Sequence, residues 1–139
     1  MKIETTILKN LLQNEEYARK VLPFLNDEYF TENSDKIVFN QINNFILKYN
    51  SLPNKEALTI ELSDAKITEE DFKDSANLVT AISEDIQEFA DLTWLLDSTE
   101  KFCQDKAIYN AVVESISILD NPKSIADKGA IPEILSDAL

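Results

Sequence analysis

The stretch from Asp91 to Leu119, DLTWLLDSTEKFCQDKAIYNAVVESISIL, contains neither proline nor glycine, and its reading decides the fold. The simplest conformation for it is one helix, roughly 43 Å long at 1.5 Å per residue. That exceeds the usual helix of a small domain. Leu92, Leu95, Leu96, Phe102, Tyr109, Val113 and Ile116 run along one seam in steps of three and four, interrupted at Thr99 and Lys106. In the second half, Ile108, Ala111, Val112, Ile118 and Leu119 add apolar surface on other sides. A helix apolar nearly all round must be covered nearly all round. A chain of 139 residues hides roughly two-thirds of its unfolded surface, which is too little to enclose such a rod. The distal part is therefore expected to pack against another copy of the chain. The alternative is a break near Lys101 to Lys106 that folds the rod back on its own core.

Upstream, the apolar positions predict about five short helices. Ile3, Ile7, Leu8, Leu11 and Leu12 recur at helical spacing, and Tyr17, Val21 and Leu22 resume the pattern after the polar Gln13-Asn14-Glu15-Glu16 break. Pro23 ends or kinks the second helix, because it lacks an N–H and disfavours helical backbone at Leu22. Tyr29 and Phe30 follow as aromatic plugs over the core. Val38, Ile42, Phe45, Ile46 and Tyr49 mark one face of a third helix, with Asn33, Ser34 or Asp35 available as its cap. Asn54 is a good cap for a short fourth helix carrying Leu58 and Leu62. Thr68 and Asp71 stand at capping-box spacing before Phe72, Leu78, Val79 and Ile82, which predicts a fifth.

Downstream, Asn121-Pro122 stops the long helix and the polar residues from Lys123 to Gly129 read as a linker. Ile131, Ile134, Leu135, Ala138 and Leu139 begin a new amphipathic helix with Pro132 in its first turn. Its apolar face stops unfinished, so the sequence is expected to be a piece of a longer polypeptide. The organisation predicted is a helical head over 1–90, a long helix over 91–120, and a linker with the start of a further helix over 121–139. The fold class is all-α.

Composition narrows the function. A single glycine disfavours folds built on many tight hairpins. The formal net charge of −13 repels phosphate backbones and anionic membranes, although Arg19 and Lys20 form a local basic pair. Direct DNA contact is expected to be weak or absent, and proteins are the expected partners. No apolar run approaches a membrane span or a signal peptide, and the one cysteine, Cys103, forms no internal disulfide. A cytoplasmic location is expected. Histidine is absent, which removes the commonest general base and transition-metal ligand. Gly129 is followed by Ala130 and Ile131, so no phosphate-binding loop can be drawn and no cofactor is expected in this chain. Glu69-Glu70-Asp71 and Glu84-Asp85 are the remaining acidic groups. The first sits at a helix start, where negative charge suits the dipole without a metal. Cys103 lies in the apolar seam and reads as a small buried hydrophobe, and Trp94 as a core anchor or a plug for a partner's pocket.

Particular residues add a resemblance. Ile7-Leu8-Lys9-Asn10-Leu11-Leu12, Val21-Leu22-Pro23 with Glu28-Tyr29-Phe30, and Leu52-Pro53-Asn54 with Glu56-Ala57-Leu58 lie in the first half. Trp94-Leu95, Thr99-Glu100-Lys101-Phe102, the run from Asp105 to Ala111 and the run from Gly129 to Leu135 complete the set. In order and spacing the chain resembles the N-terminal domain of DnaB-type replicative helicases, most closely their T-even-type phage branch. Two departures stand out: Lys106 replaces an arginine usual in relatives, and Asn121 to Gly129 is short for a returning hairpin arm.

The resemblance implies a helical head with a long helical hairpin, joining six copies into a trimer-of-dimers collar that contacts primase and a helicase loader. On that reading Phe102, Lys106, Tyr109, Val112, Val113, Ile116 and Leu119 face another subunit. Ile131, Ile134, Leu135, Ala138 and Leu139 open the linker helix that docks on a neighbouring motor domain, where ATP and Mg2+ would act. Two rivals need no such family: a self-contained acidic adaptor that binds a replication factor, and an enzyme using a carboxylate pair with magnesium.

Overall fold

The computed structural model describes residues 2–85, 91–120 and 125–139. Among these residues every regular element is a helix, as the scarcity of glycine predicts. The helices are α1 (Ile3–Gln13), α2 (Glu15–Val21), α3 (Asn33–Tyr49), α4 (Lys55–Asp64), α5 (Glu69–Glu84), α6 (Leu92–Asp120) and α7 (Ile131–Ala138). Short 3-10 segments lie at Leu22–Phe24, Asp27–Tyr29 and Ile125–Ala130. The chain divides into two compact units, Met1–Leu96 and Asp97–Leu139.

Local chemistry places most boundaries of the first unit. Asn14 leaves α1 in extended backbone, and its side chain accepts a hydrogen bond from the Tyr17 N–H at 3.1 Å, so one residue ends α1 and caps α2. After Val21 the Pro23 segment tightens into a 3-10 turn. Asn54 caps α4 through the Ala57 N–H at 2.7 Å, and Thr68 caps α5 through the Asp71 N–H at 3.1 Å. The expected cap of α3 is a correction. Its N-cap is Glu32, which makes no side-chain capping bond, while Asn33, Ser34 and Asp35 fall inside the first turn. That helix ends on Asn50, at φ 53° and ψ 33°, a left-handed conformation that asparagine tolerates better than most residues. The guanidinium of Arg19 holds this end, donating to Asn50 Oδ1 and Asn50 O at 3.1 and 3.2 Å while it pairs with Glu15.

Around this frame α1 packs against α2, α3 and α5, and α3 and α4 pack against α5. Ile7, Leu8 and Leu11 of α1, Val38 and Ile42 of α3, Leu58 of α4 and Val79 of α5 have no exposed surface. Phe30 is buried and stacks on Phe39 with centroids 5.2 Å apart, so it plugs the core, whereas Tyr29 is only half-buried. Tyr49 departs from its expected place on the buried face. It is exposed and leans on the Phe45 ring, with centroids 4.7 Å apart, while Ile46 of the same turn is buried.

Two ionisable groups are buried with the apolar core. Lys9 pairs with Asp85 at 3.2 Å, with both side chains largely sequestered, and Gln13 Nε2 donates beside it to the carbonyls of Ile82 and Asp85. These bonds tie α1 to the end of α5. Removing one partner strands the other charge in a poor solvent. Lys9→Ala is expected to cost about 3 kcal/mol in urea unfolding, with Lys9→Ala/Asp85→Ala recovering part of that loss.

Asp35 is also buried, and among the described residues its Oδ2 has no hydrogen-bond partner. Burial lifts its carboxyl above the ordinary value of 3.8; Lys2 opposes this, while Glu4 and Glu32 reinforce it. A folded-state pKa above the unfolded one gives stability that is present at low pH and lost as pH rises through the folded value. Asp35→Asn is therefore expected to melt above the parent at pH 7, the gap closing towards pH 3.8, as thermal melts across pH would record.

Candidate self-association surface

Helix α6 is continuous over its 29 residues, so the expected single rod is found and the alternative break near Lys101 to Lys106 is absent. At roughly 100° per residue, Ile108, Tyr109, Val112, Val113, Ile116 and Leu119 share one arc of about 140°. All six are exposed, from 41% at Ile108 to 63% at Tyr109. Ala111 and Ser115, just beyond the Ile108 edge of this arc, are buried, and the Ser115 hydroxyl donates to the Ala111 carbonyl at 2.8 Å. Sidedness is what makes this a surface. One flank of the rod is covered, and a contiguous apolar stripe faces water.

Five of the expected interface residues, Tyr109, Val112, Val113, Ile116 and Leu119, lie on the stripe, with Ile108 as a sixth member not among them. The helical wheel sets Ile108 beside Val112, so the signal for it was present in the spacing. Phe102 differs: it shares the seam but is already buried. Lys106 is half-buried, with its Nζ 5.8 Å from the centre of the Tyr109 ring, where cation and π-face attract. Trp94 is 52% exposed, which corrects its expected place as a core anchor.

The expected helix with Pro132 in its first turn is present as α7. Residues 121–124 lie outside the described part, while Ile125–Ala130 form a 3-10 segment running directly into α7. Ile131, Ile134 and Ala138 are half-buried, and Leu135 and Leu139 are exposed, Leu139 at 93%. Pro132 sits in the first turn, where a missing N–H costs nothing.

The remaining reactive groups have structural employment. Glu84 pairs with Lys55 at 3.2 Å and Asp85 with Lys9, while Arg19 and Lys20 pair with Glu15 and Glu16 one turn away. Among the described residues no three histidine, cysteine or acidic side chains gather as a metal site, and no helix is long and apolar enough to cross a membrane. Cys103 is half-buried, and desolvation pushes its thiol up to about 11. So few thiolates form near neutrality that iodoacetamide at pH 8 should alkylate it about a hundredfold more slowly than a free cysteine, as mass spectrometry over time would show.

Comparison with known proteins gives this geometry a context. A "DnaB-like replicative helicase" of Enterobacteria phage T4 is 31% identical over 141 residues, covering 96% of this chain. The chain is similar to a DnaB-like replicative helicase. The resemblance carried by the scattered motifs thus extends along nearly its whole length. The chain spans 29% of that relative's length, and no family model matches it.

Proposed function

We propose that this chain is the N-terminal collar and oligomerisation domain of a phage hexameric replicative helicase. The observation that carries this reading is the exposed apolar stripe of α6, on a chain similar over 96% of its length to a helicase of which it spans 29%. A monomer leaves Tyr109, Val113 and Ile116 in water, and pairing two copies removes that surface from solvent. Paired domains would hold motor domains in register around DNA, in a trimer-of-dimers arrangement. The formal charge of −13 discourages the strand from adhering to the collar.

The same reading places ATP and Mg2+ in a motor domain outside this chain, and assigns the complete protein 5′ to 3′ unwinding in the host cytoplasm. Ile131, Ile134, Leu135, Ala138 and Leu139 would continue into the linker helix that docks on a neighbouring motor. Primase and a helicase loader are the further partners, reached through protein surfaces of the collar.

Sedimentation velocity over a concentration series tests the assembly. The parent chain is expected to self-associate, and Tyr109→Asp and Val113→Asp are each expected to weaken association by at least about tenfold, since each buries a carboxylate in an apolar contact. Parent and variants all behaving as one monomer, or variants associating as tightly as the parent, would refute the proposal.

A further inference from the structure

We infer that two copies of α6 pair antiparallel, crossing at Val113, so that Lys106 of each copy meets Asp120 of the other. This rests on the self-association reading and adds to it an orientation and a register. The apolar stripe of α6 occupies positions 109, 113 and 116, and the same steps of three and four reach Lys106 at one end and Asp120 at the other. In this series Lys106 and Asp120 stand seven residues to either side of Val113, while Tyr109 lies four before it and Ile116 three after it. A two-fold axis there sets Tyr109 of one copy near Ile116 of the other and Val113 against Val113, with one cation and one carboxylate at each end of the contact.

A parallel pair buries the same apolar residues, each against its own counterpart, but stacks Lys106 on Lys106 and Asp120 on Asp120. Charged residues at seam positions add little affinity when rightly matched, yet like charges face to face are costly, so they select orientation. Asp120 supplies a second argument. It closes α6, where the helix dipole leaves partial negative charge, and the last turn of α6 holds no basic residue. A carboxylate so placed is improved by a cation from outside its own helix. Lys106 lies over the edge of the stripe, with its Nζ near the Tyr109 ring, and can stay there while it faces a partner's carboxylate.

Reversing the charges separates the two orientations. In the antiparallel pair, Lys106→Glu sets glutamate against Asp120 at both ends, and Asp120→Lys sets lysine against Lys106. Each single variant is then expected to dimerise about tenfold more weakly than the parent in 0.05 M salt. The swap Lys106→Glu/Asp120→Lys restores the matched ends and is expected to regain the parent's affinity. The differences should shrink at high salt, and circular dichroism confirms that each variant keeps its helices. If the parent associates while the single variants match it, or the swap is as weak as they are, the antiparallel register is wrong and the self-association reading stands. If the parent itself remains monomeric at high concentration, that reading fails and takes the register with it.

Discussion

Water's aversion to apolar surface presses unequally on the two units of this chain, and α6 is where the pressure is left unrelieved. In the first unit five helices close around a shared core, so that Ile7, Leu8, Leu11, Val38 and Ile42 retain no contact with solvent. The apolar side chains left exposed there, such as Phe24, Leu47 and Ile60, are scattered along the sequence. A helix of 29 residues with apolar side chains over most of its circumference has no such closure. One flank is covered at Ala111 and Ser115, and the stripe from Ile108 to Leu119 is left in water. Apolar burial favours association roughly in proportion to area, and a contiguous stripe on a straight rod offers that area in a shape another rod can match.

The polar residues of the first unit serve its rigidity. Asn14, Asn54 and Thr68 satisfy backbone donors at helix starts, and Arg19 binds the left-handed end of α3 at Asn50. Lys9, Asp85 and Gln13 fasten the first helix to the end of the fifth across a long stretch of sequence. A buried pair of this kind adds less to stability than its removal subtracts, because a stranded charge costs more than a matched one gains. Such a pair specifies how the helices must meet. Several groups that invite a chemical reading are thereby accounted for: the acids at Glu84 and Asp85 answer lysines, and the basic pair Arg19 and Lys20 answers the acids one turn before it.

On the proposed reading, these properties serve a part whose work is assembly. A strongly acidic exterior keeps copies soluble and makes random contact unfavourable, so only a surface with enough apolar area overcomes the mutual repulsion. On the proposed collar reading, that surface would hold the subunits of a ring of motors at fixed spacing around the strand. Lysine at position 106 suits this role differently from arginine. Its point charge lacks the planar fork of a guanidinium, so it offers direction by sign more than by bidentate geometry.

Much of this was legible in the amino-acid order. One glycine in 139 residues, a proline-free and glycine-free run from Asp91 to Leu119, and Asn or Thr three residues before a backbone donor determined an all-helical chain with its longest rod in the right place. Those features act within a few residues, where geometry is set by the backbone itself. Faces were less readable than helices. Periodicity tells which side chains share a side, but not how far a neighbour extends over it, so Tyr49 and Trp94 emerged exposed while Phe102 emerged buried. The pairing of Lys9 with Asp85 was likewise invisible, because it depends on which helix ends converge. Local spacing decided where the helices lie; only the packing of distant segments decided which of their surfaces the chain can hide, because burial depends on what lies across the contact.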